Sequence, residues 1–365
     1  MTAGAAGGAG LEELTRHRHI LVCCGAGGVG KTTIAAVAAL QGARMGRKTV
    51  VVTIDPARRL ADALGLGGIT DRPTRIPGDR QGELWATMLD TKSTFDALVL
   101  KYASTPEQGE RILTNRFYRN LSEALSGTQE YMAMEKLYEL HEGSDFDLIV
   151  VDTPPTRHAL DFLDAPRRLS SLLDSRLFRS VVLPRRGIVR AVNLAAQTFL
   201  RTVAKVVGSE VIEDAIAFFR AFEGMEEGFR QRSEHVNRLL RARETAFVLV
   251  ASPRRDSVDE AHYFAERLAE GGITVECLVV NRVHPDFGDG LAEATRARAE
   301  TLVGSSLGRL YGNLGDFQMI ASREREHLAG LAEAVTPAPV VWVPFLQSDV
   351  HDLDGMAKIA SHLYE

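Results

Sequence analysis

The sequence has few cysteines and no stretch suited to crossing a membrane. Its three cysteines, Cys23, Cys24 and Cys277, form no C-x-x-C pair, so neither a disulfide framework nor a thiolate metal cluster is indicated. No apolar run is long enough to cross a bilayer. Residues 1–10 are almost all Ala and Gly, without the basic start and apolar core of a signal peptide. We therefore expect a cytoplasmic protein that begins with a disordered tail over 1–10.

The chain also lacks an excess of positive charge. Lys and Arg number 43 against 48 Asp and Glu, for a formal net charge of −5, so no nucleic-acid partner is expected. The apolar fraction of 45% is ample for a core, and the charged fraction of 25% is the ordinary globular value. A length of 365 residues fits one domain with a large insertion.

A glycine-rich segment carries the most informative motif. It reads Gly25-Ala26-Gly27-Gly28-Val29-Gly30-Lys31-Thr32-Thr33 and matches the phosphate-binding pattern G-x-x-x-x-G-K-[ST]. Glycines allow successive backbone N–H groups to point inward, and the helix that follows directs its positive end at the same place. Lys31 is expected to reach the β- and γ-phosphates, and the Thr32 hydroxyl to bind Mg²⁺. A buried strand over 19–24 and an Ala-rich helix over 33–40 support this interpretation.

Two carboxylates stand where predicted strands end. Asp55 follows the β-branched run 49–54, and Asp152 follows the apolar run 148–151. Ligand residues in an open α/β sheet lie at the carboxyl ends of strands. Asp55 can position or deprotonate an attacking water, or cap the helix that follows it, and the two roles can coexist. Together with Thr32, both carboxylates are candidate Mg²⁺ ligands.

The later strands supply candidate contacts to the base of a nucleotide. Asn281 stands near the end of the strand 275–282, and its side-chain amide suits the edge of adenine. A GTPase would present Asn-Lys-x-Asp here, but Arg282 and the residues after it supply no such Asp, so ATP is favoured over GTP. We include Arg282 among the nucleotide-binding candidates. At the end of the last strand, Pro344 and Phe345 either line the base pocket or pack as an ordinary loop.

The order of strands and helices predicts a doubly wound, mostly parallel α/β sheet of the P-loop type with a helical insertion. The core would comprise 11–158 and 244–365, with 159–243 as the insertion and the helices of 91–142 packed near it. Apolar positions line one side of the first two of its three helix-like stretches, and its polar positions between 166 and 206 are strongly basic. It is either a helical cap packed on its own neighbours or a basic-rimmed groove for an apolar helix or an anionic membrane surface.

Three segments of the chain carry motifs that are specific in combination. They are the loop 25–32, the segment Thr53-Ile54-Asp55-Pro56-Ala57, and the segment Asp152-Thr153-Pro154-Pro155-Thr156-Arg157-His158. In this order they resemble the phosphate loop, the first switch and the second switch of the ArsA/Get family of P-loop ATPases, within the class that includes the MinD and ParA partitioning ATPases. The resemblance implies Mg²⁺-dependent ATP hydrolysis with Asp55 as catalytic carboxylate, and adenine contacts at Asn281 and the Pro344-Phe345 loop. It also implies a dimer or two fused halves, with a helical subdomain at 159–243 that handles the partner.

The chain departs from that family at three points. Ala26 replaces the family's signature lysine, which reaches the nucleotide of the partner subunit, and Arg157 replaces a glycine in the second switch. Arg157 is therefore our candidate for the missing cation, and a lysine carried by a different partner chain is the other solution. The arsenite-binding cysteines are absent, so no arsenite site is expected. The insertion contains only one methionine, Met225, and so lacks the methionine-rich surface expected of an adaptable groove for helices.

These features predict an ATP hydrolase with Asp55, Lys31 and Arg157 as its catalytic residues. Its cofactors would be ATP and Mg²⁺, and hydrolysis would drive a dimeric switch that acts on an apolar or membrane-protein partner. The dimer would form between identical chains or with a paralogue. Two other functions fit the same residues: a regulatory or partitioning ATPase at a membrane surface or on a protein partner, and a weakly hydrolysing nucleotide-binding subunit of a heterodimer.

Overall fold

The computed structural model divides into two compact units. One lies within Met1–Met88, Gly143–Leu160 and Arg241–Glu365, and the other within Leu89–Glu142 and Asp161–Leu240. The residues that the structure describes are 3–54, 59–116, 118–119, 128–153, 214, 217–218, 220–221, 224–285, 287–288, 291–346 and 352–364. The glycine-rich loop and the candidate base contacts fall in the first unit.

A sheet of eight strands forms the centre of the first unit within these described ranges. The strands are β1 (Ile20–Gly25), β2 (Lys48–Thr53), β3 (Thr74–Ile76), β4 (Glu83–Met88), β5 (Leu148–Asp152), β6 (Thr245–Ala251), β7 (Val275–Val283) and β8 (Val340–Pro344). Their order is β3-β4-β2-β5-β1-β6-β7-β8, and β3 pairs with β4 in the antiparallel sense while the other pairs are parallel. The predicted α/β fold with a mostly parallel sheet is confirmed.

Helices cover both faces of this sheet. Those of the first unit are α1 (Ala3–His17), α2 (Lys31–Arg44), α3 (Arg59–Ala63), α8 (Arg255–Glu270), α9 (Ala292–Thr301), α10 (Ser306–Ala334) and α11 (Leu353–Tyr364). Helices α1, α2 and α11 share one apolar core with alternate strand residues such as Leu21, Cys23 and Val248. Helix α8 packs on β1 and β6 outside that core, so it covers the opposite face. This arrangement explains why the central strands read as continuous apolar runs.

The N-terminal residues are helical, in contrast to the predicted disordered tail. Helix α1 includes residues 3–10. Leu11 and Leu14 are buried in the core shared with α2. Gly10 packs closely on Pro339, because a β-carbon at Gly10 would lie 2.4 Å from the proline ring. Alanine has the highest helix propensity, so an anchored helix extends back through the Ala-rich residues.

The segment 65–82 contains a short strand that its composition does not predict. Its Gly, Pro, Asp and Arg residues predict an exposed loop. In the structure, Thr74–Ile76 form β3 at the edge of the sheet, and Ile76 is buried in the main core. Three residues are too few to show the alternation by which strands are recognised.

The second unit is helical in its described residues. Its helices are α4 (Thr91–Tyr102), α5 (Pro106–Thr114), α6 (Thr128–Gly143) and α7 (Glu226–Leu240). The rings of Phe95, Tyr118 and Phe218 stack in series, with centroid separations of 5.4 and 6.0 Å. Part of the predicted insertion, which includes Phe218, therefore packs with the helices of 91–142.

All three cysteines are buried and none forms a disulfide. Burial raises the pKa of both Cys24 and Cys277 to about 12. Protonated at neutral pH, these thiols behave as small apolar groups. Within the described ranges, no group of three or more His, Cys, Asp or Glu residues could hold a metal ion, and no helix has the length and apolarity of a membrane span.

A buried ion pair joins α6 and α7. Arg232 and Glu135 are 8% and 3% exposed, and Arg232 Nε donates to Glu135 Oε1 at 2.6 Å. The guanidinium also lies over Tyr138, with its central carbon 3.5 Å from the ring centroid. Removal of one member of such a pair leaves an uncompensated buried charge. Loss of either side chain should therefore destabilise the packing of α6 against α7.

We expect Arg232→Met to lower the free energy of unfolding by about 3–5 kcal/mol, because Glu135 would remain buried and unpaired. The matched control is Arg230→Met on the same helix, where the ion pair with Glu227 is exposed and 3.8 Å long. Loss of that exposed pair should cost at most about 1 kcal/mol. Urea denaturation of both variants measures the difference, and equal effects would contradict a special role for the buried pair.

Candidate nucleotide-binding site

The glycine-rich loop leaves the centre of the sheet at the end of β1. Strand β1 lies between β5 and β6, where the connections diverge to the two sides of the sheet, and ligands of open α/β sheets bind at such a point. Gly25 ends β1 with φ +143°, and a β-carbon there would lie 2.0 Å from Val250 O. Gly30 has φ +95° and caps α2. The N-terminus of α2, whose first N–H groups have no partner within the helix itself, therefore adjoins the loop.

Lys31 begins α2 and is nearly buried, with 5% of its surface exposed. Its Nζ donates a hydrogen bond to Ala26 O at 2.7 Å, so the ammonium group lies against the loop that precedes it. Thr32 and Thr33 follow in the first turn of the helix and are half-buried. An amine and a hydroxyl thus stand at a helix N-terminus, where the helix dipole favours anions.

Asp152 ends β5, the neighbour of β1. It is 1% exposed, and its Oδ2 accepts a hydrogen bond from Thr53 Oγ1 at 2.9 Å. In the sheet register Asp152 stands opposite Cys23 of β1, two residues before Gly25, and opposite Thr53 of β2. A buried carboxylate therefore lies near the base of the loop, and its role as a Mg²⁺ ligand stays a prediction.

The end of β7 contacts the loop directly. Asn281 Nδ2 donates to Val29 O at 2.8 Å, and a β-carbon on Gly30 would lie 2.4 Å from the same nitrogen. Arg282 Nη1 donates to Gly28 O at 3.1 Å. No local pattern reveals these contacts, because 252 residues separate Asn281 from Val29. The amide that we expect to meet adenine binds the loop in this structure, and its contact with adenine stays a prediction.

Phe345 presents an exposed ring beside the end of β7. It follows Pro344, is 61% exposed, and its N–H donates to Val283 O at 2.9 Å. The imidazole of His284 is nearly parallel to this ring, at 8° and 6.3 Å between centroids. Glu324 of α10 accepts from the His284 backbone N–H at 2.8 Å and lies 2.7 Å from its Nδ1. The exposed face of Phe345 offers a stacking surface for a planar base. The sequence did not single out the His284–Glu324 pair.

Comparison with known proteins identifies the family. A family model described as "Anion-transporting ATPase" matches residues 17–303. The chain belongs to this ArsA family. It is 27% identical to ATPase GET3A of Arabidopsis thaliana over 279 residues, and this alignment covers 75% of this chain and 69% of that protein. It is 23% identical to ATPase ASNA1 homolog 1 of Paramecium tetraurelia over 345 residues, and this alignment covers 93% of this chain and 90% of that protein. It is 26% identical to ATPase GET3 of Malassezia globosa over 264 residues, and this alignment covers 72% of this chain and 72% of that protein.

Family membership makes this ArsA-family chain an ATP hydrolase, which confirms the predicted activity. Two predicted catalytic residues, Asp55 and Arg157, lie outside the described residues, so their roles stay predictions. Thr32 and Asp152 offer a hydroxyl and a carboxylate oxygen, which suit a small hard cation such as Mg²⁺. The other predicted residues lie in the loop, at the start of α2, and at the ends of β7 and β8.

We expect Gly30→Ala to weaken nucleotide binding by this ArsA-family ATPase, because the new β-carbon would displace the Asn281 amide from Val29 O in addition to the backbone strain at φ +95°. The matched control is Gly28→Ala, at φ +75°, where no described neighbouring atom lies within 4 Å of the added carbon. That control should cost only about 1–2 kcal/mol of backbone strain. Titration calorimetry with ATP and thermal denaturation compare the two. Equal ATP affinity in both variants would contradict this account of the loop.

Proposed function

We propose that this chain couples Mg²⁺-dependent ATP hydrolysis to a conformational switch within a dimer. One observation carries the proposal: a nearly buried Lys31, a glycine-rich loop and a buried Asp152 adjoin the ends of β1 and β5. These groups suit phosphoryl transfer to water, which depends on positioning and charge stabilisation more than on covalent chemistry.

We propose a role for each of these residues. Lys31 would exchange its bond to Ala26 O for phosphate oxygens, with the loop N–H groups binding the same phosphates. Thr32 and Asp152 would hold Mg²⁺, which when bound supplies positive charge to the phosphates. Asp55, in the segment that follows β2, would orient the attacking water or accept its proton.

We further propose that the active form is a dimer, between identical chains or with a paralogue. The family resemblance implies a lysine at the position of Ala26 that reaches the nucleotide of the other subunit. Alanine brings no charge, so another cation must stabilise the charge that develops on the transferred phosphoryl group. Arg157 is the candidate, and a lysine from a different partner chain is the second solution.

The purified chain is expected to hydrolyse ATP in the presence of Mg²⁺. Lys31→Ala removes a phosphate-binding cation and Asp55→Asn removes the water-positioning carboxylate, so each should lower turnover by about 100-fold or more. Turnover is measured together with the mass in solution, by light scattering with and without ATP. Formation of a dimer on addition of ATP is the result expected of the switch.

Arg157→Ala in the same assay is expected to slow turnover while ATP affinity stays nearly unchanged, because a cation that acts in the transition state is not required for binding. Unchanged turnover would exclude Arg157 as the missing cation. Full turnover in the Asp55→Asn variant would contradict the assignment of Asp55 as the catalytic carboxylate. Tight binding of ATP by a wild-type monomer without turnover would favour a heterodimer whose other chain carries the lysine.

We propose an apolar helical segment as the partner that the insertion handles. The sequence of 159–243 supports this partner, because apolar positions line one side of the first two of its three helix-like stretches. The basic positions between 166 and 206 suit an anionic membrane surface as well. The two partners differ in salt dependence, because salt screens exposed charges but does not weaken apolar burial.

Binding of an apolar helical peptide is expected to depend on the bound nucleotide and to persist up to about 1 M salt. A fluorescently labelled peptide reports this binding by anisotropy, and co-sedimentation with anionic vesicles measures the alternative. Vesicles of neutral lipid are the control. Vesicle binding that fades with salt, without any peptide binding, would contradict the peptide partner and favour the membrane-surface function.

A further inference from the structure

Arg282 has a backbone conformation that arginine rarely adopts. It has φ +64°, and no other non-glycine residue in the described part of the chain has a positive φ. The left-handed region costs an L-residue about 1–2 kcal/mol. Its neighbours Asn281 and Val283 pair with consecutive residues of β8, so Arg282 is the extra residue of a β-bulge. Strain of this kind persists where the surroundings impose it, and it clusters at functional sites.

The bulge lets two consecutive side chains reach the same loop. In a regular strand, successive side chains point to opposite faces, so Asn281 and Arg282 would diverge. Here Asn281 Nδ2 donates to Val29 O at 2.8 Å and Arg282 Nη1 donates to Gly28 O at 3.1 Å. The Arg282 N–H also donates to Asn281 Oδ1 at 2.9 Å, which fixes the orientation of the amide.

These bonds orient the N–H groups of the loop. A trans peptide is planar, so its N–H points away from its C=O. When the carbonyls of Gly28 and Val29 point toward β7, the N–H groups of Val29 and Gly30 point the other way. Backbone N–H groups are what a phosphate-binding loop presents to its ligand. The end of β7 therefore determines the direction of two candidate phosphate donors.

We propose that Arg282 is a positioning residue that holds the phosphate loop in its nucleotide-binding conformation. The proposal rests on the proposed function, because it assumes that the loop binds the phosphates of ATP. Arg282 acts through the Gly28 carbonyl and needs no contact with the nucleotide itself. It also links the loop to the strand whose Asn281 is the predicted adenine contact, so that the two ends of the nucleotide are recognised by one connected structure.

Arg282→Gly tests this role, because glycine adopts φ +64° freely while the guanidinium is removed. ATP and ADP affinities of the whole chain, measured by titration calorimetry with Mg²⁺, should fall about tenfold. Adenosine has no phosphates, so its affinity should not change. The Tm should stay the same or rise, because the backbone strain is relieved.

Two further variants sharpen the test. Arg282→Asn keeps a side chain that tolerates the left-handed region, and we expect it to lose ATP affinity like Arg282→Gly. Arg72→Gly removes an exposed loop arginine just before β3, at the opposite edge of the sheet, and should keep the wild-type affinity. Added guanidinium chloride at non-denaturing concentration should restore part of the ATP affinity of Arg282→Gly.

The outcomes separate this role from the proposed function. Unchanged ATP affinity in both Arg282 variants would overturn the positioning role and leave ATP hydrolysis intact. A fall in Tm that parallels the loss of affinity, or an equal loss of adenosine affinity, would also overturn it, because Arg282 would then support the fold in general. A wild-type chain that binds no ATP would overturn the proposed function, and the role of Arg282 with it.

Discussion

At the end of β1 the backbone of Gly25 packs directly against Val250 of β6, and a β-carbon in between would lie 2.0 Å from the carbonyl oxygen. A similar contact brings Gly30 against the amide of Asn281. Because these positions leave no room for side chains, the loop is held between two strand ends with its peptide groups available to a ligand. The start of α2 depends on the same packing, since Gly30 caps that helix.

The order of the strands decides which distant residues meet at this loop. Strands β5 and β6 flank β1, and β7 follows β6, so their carboxyl ends lie along one edge of the sheet. Val250 and Asn281 contact the loop from two of these ends, and Asp152 lies opposite Cys23 at the third. In each strand, a shift of register by one residue would turn the opposite set of side chains toward the loop. The site therefore depends on strand register as much as on residue identity.

The parts of the site that could be predicted are those encoded by consecutive residues. The glycine-rich loop is one continuous motif, and Asp152 directly follows an apolar run. The bond between Asn281 and the loop, and that between His284 and Glu324, join residues far apart in sequence, so no local pattern encodes them. The helical start of α1 escaped prediction for a related reason. Burial of Leu11 in the core stabilises it, and composition alone does not reveal that contact.

Lys31 donates to a carbonyl of its own loop, at 2.7 Å, from a nearly buried position. A buried ammonium group is costly unless it is hydrogen-bonded, and the Ala26 carbonyl meets part of that requirement within the protein. An incoming ligand must therefore offer a better acceptor than a neutral carbonyl. A phosphate oxygen does so through its charge, whereas an uncharged nucleoside offers only neutral acceptors. The Ala26 carbonyl would thus act as an internal competitor for Lys31, and on the proposed function the loop would favour charged ligands over uncharged ones.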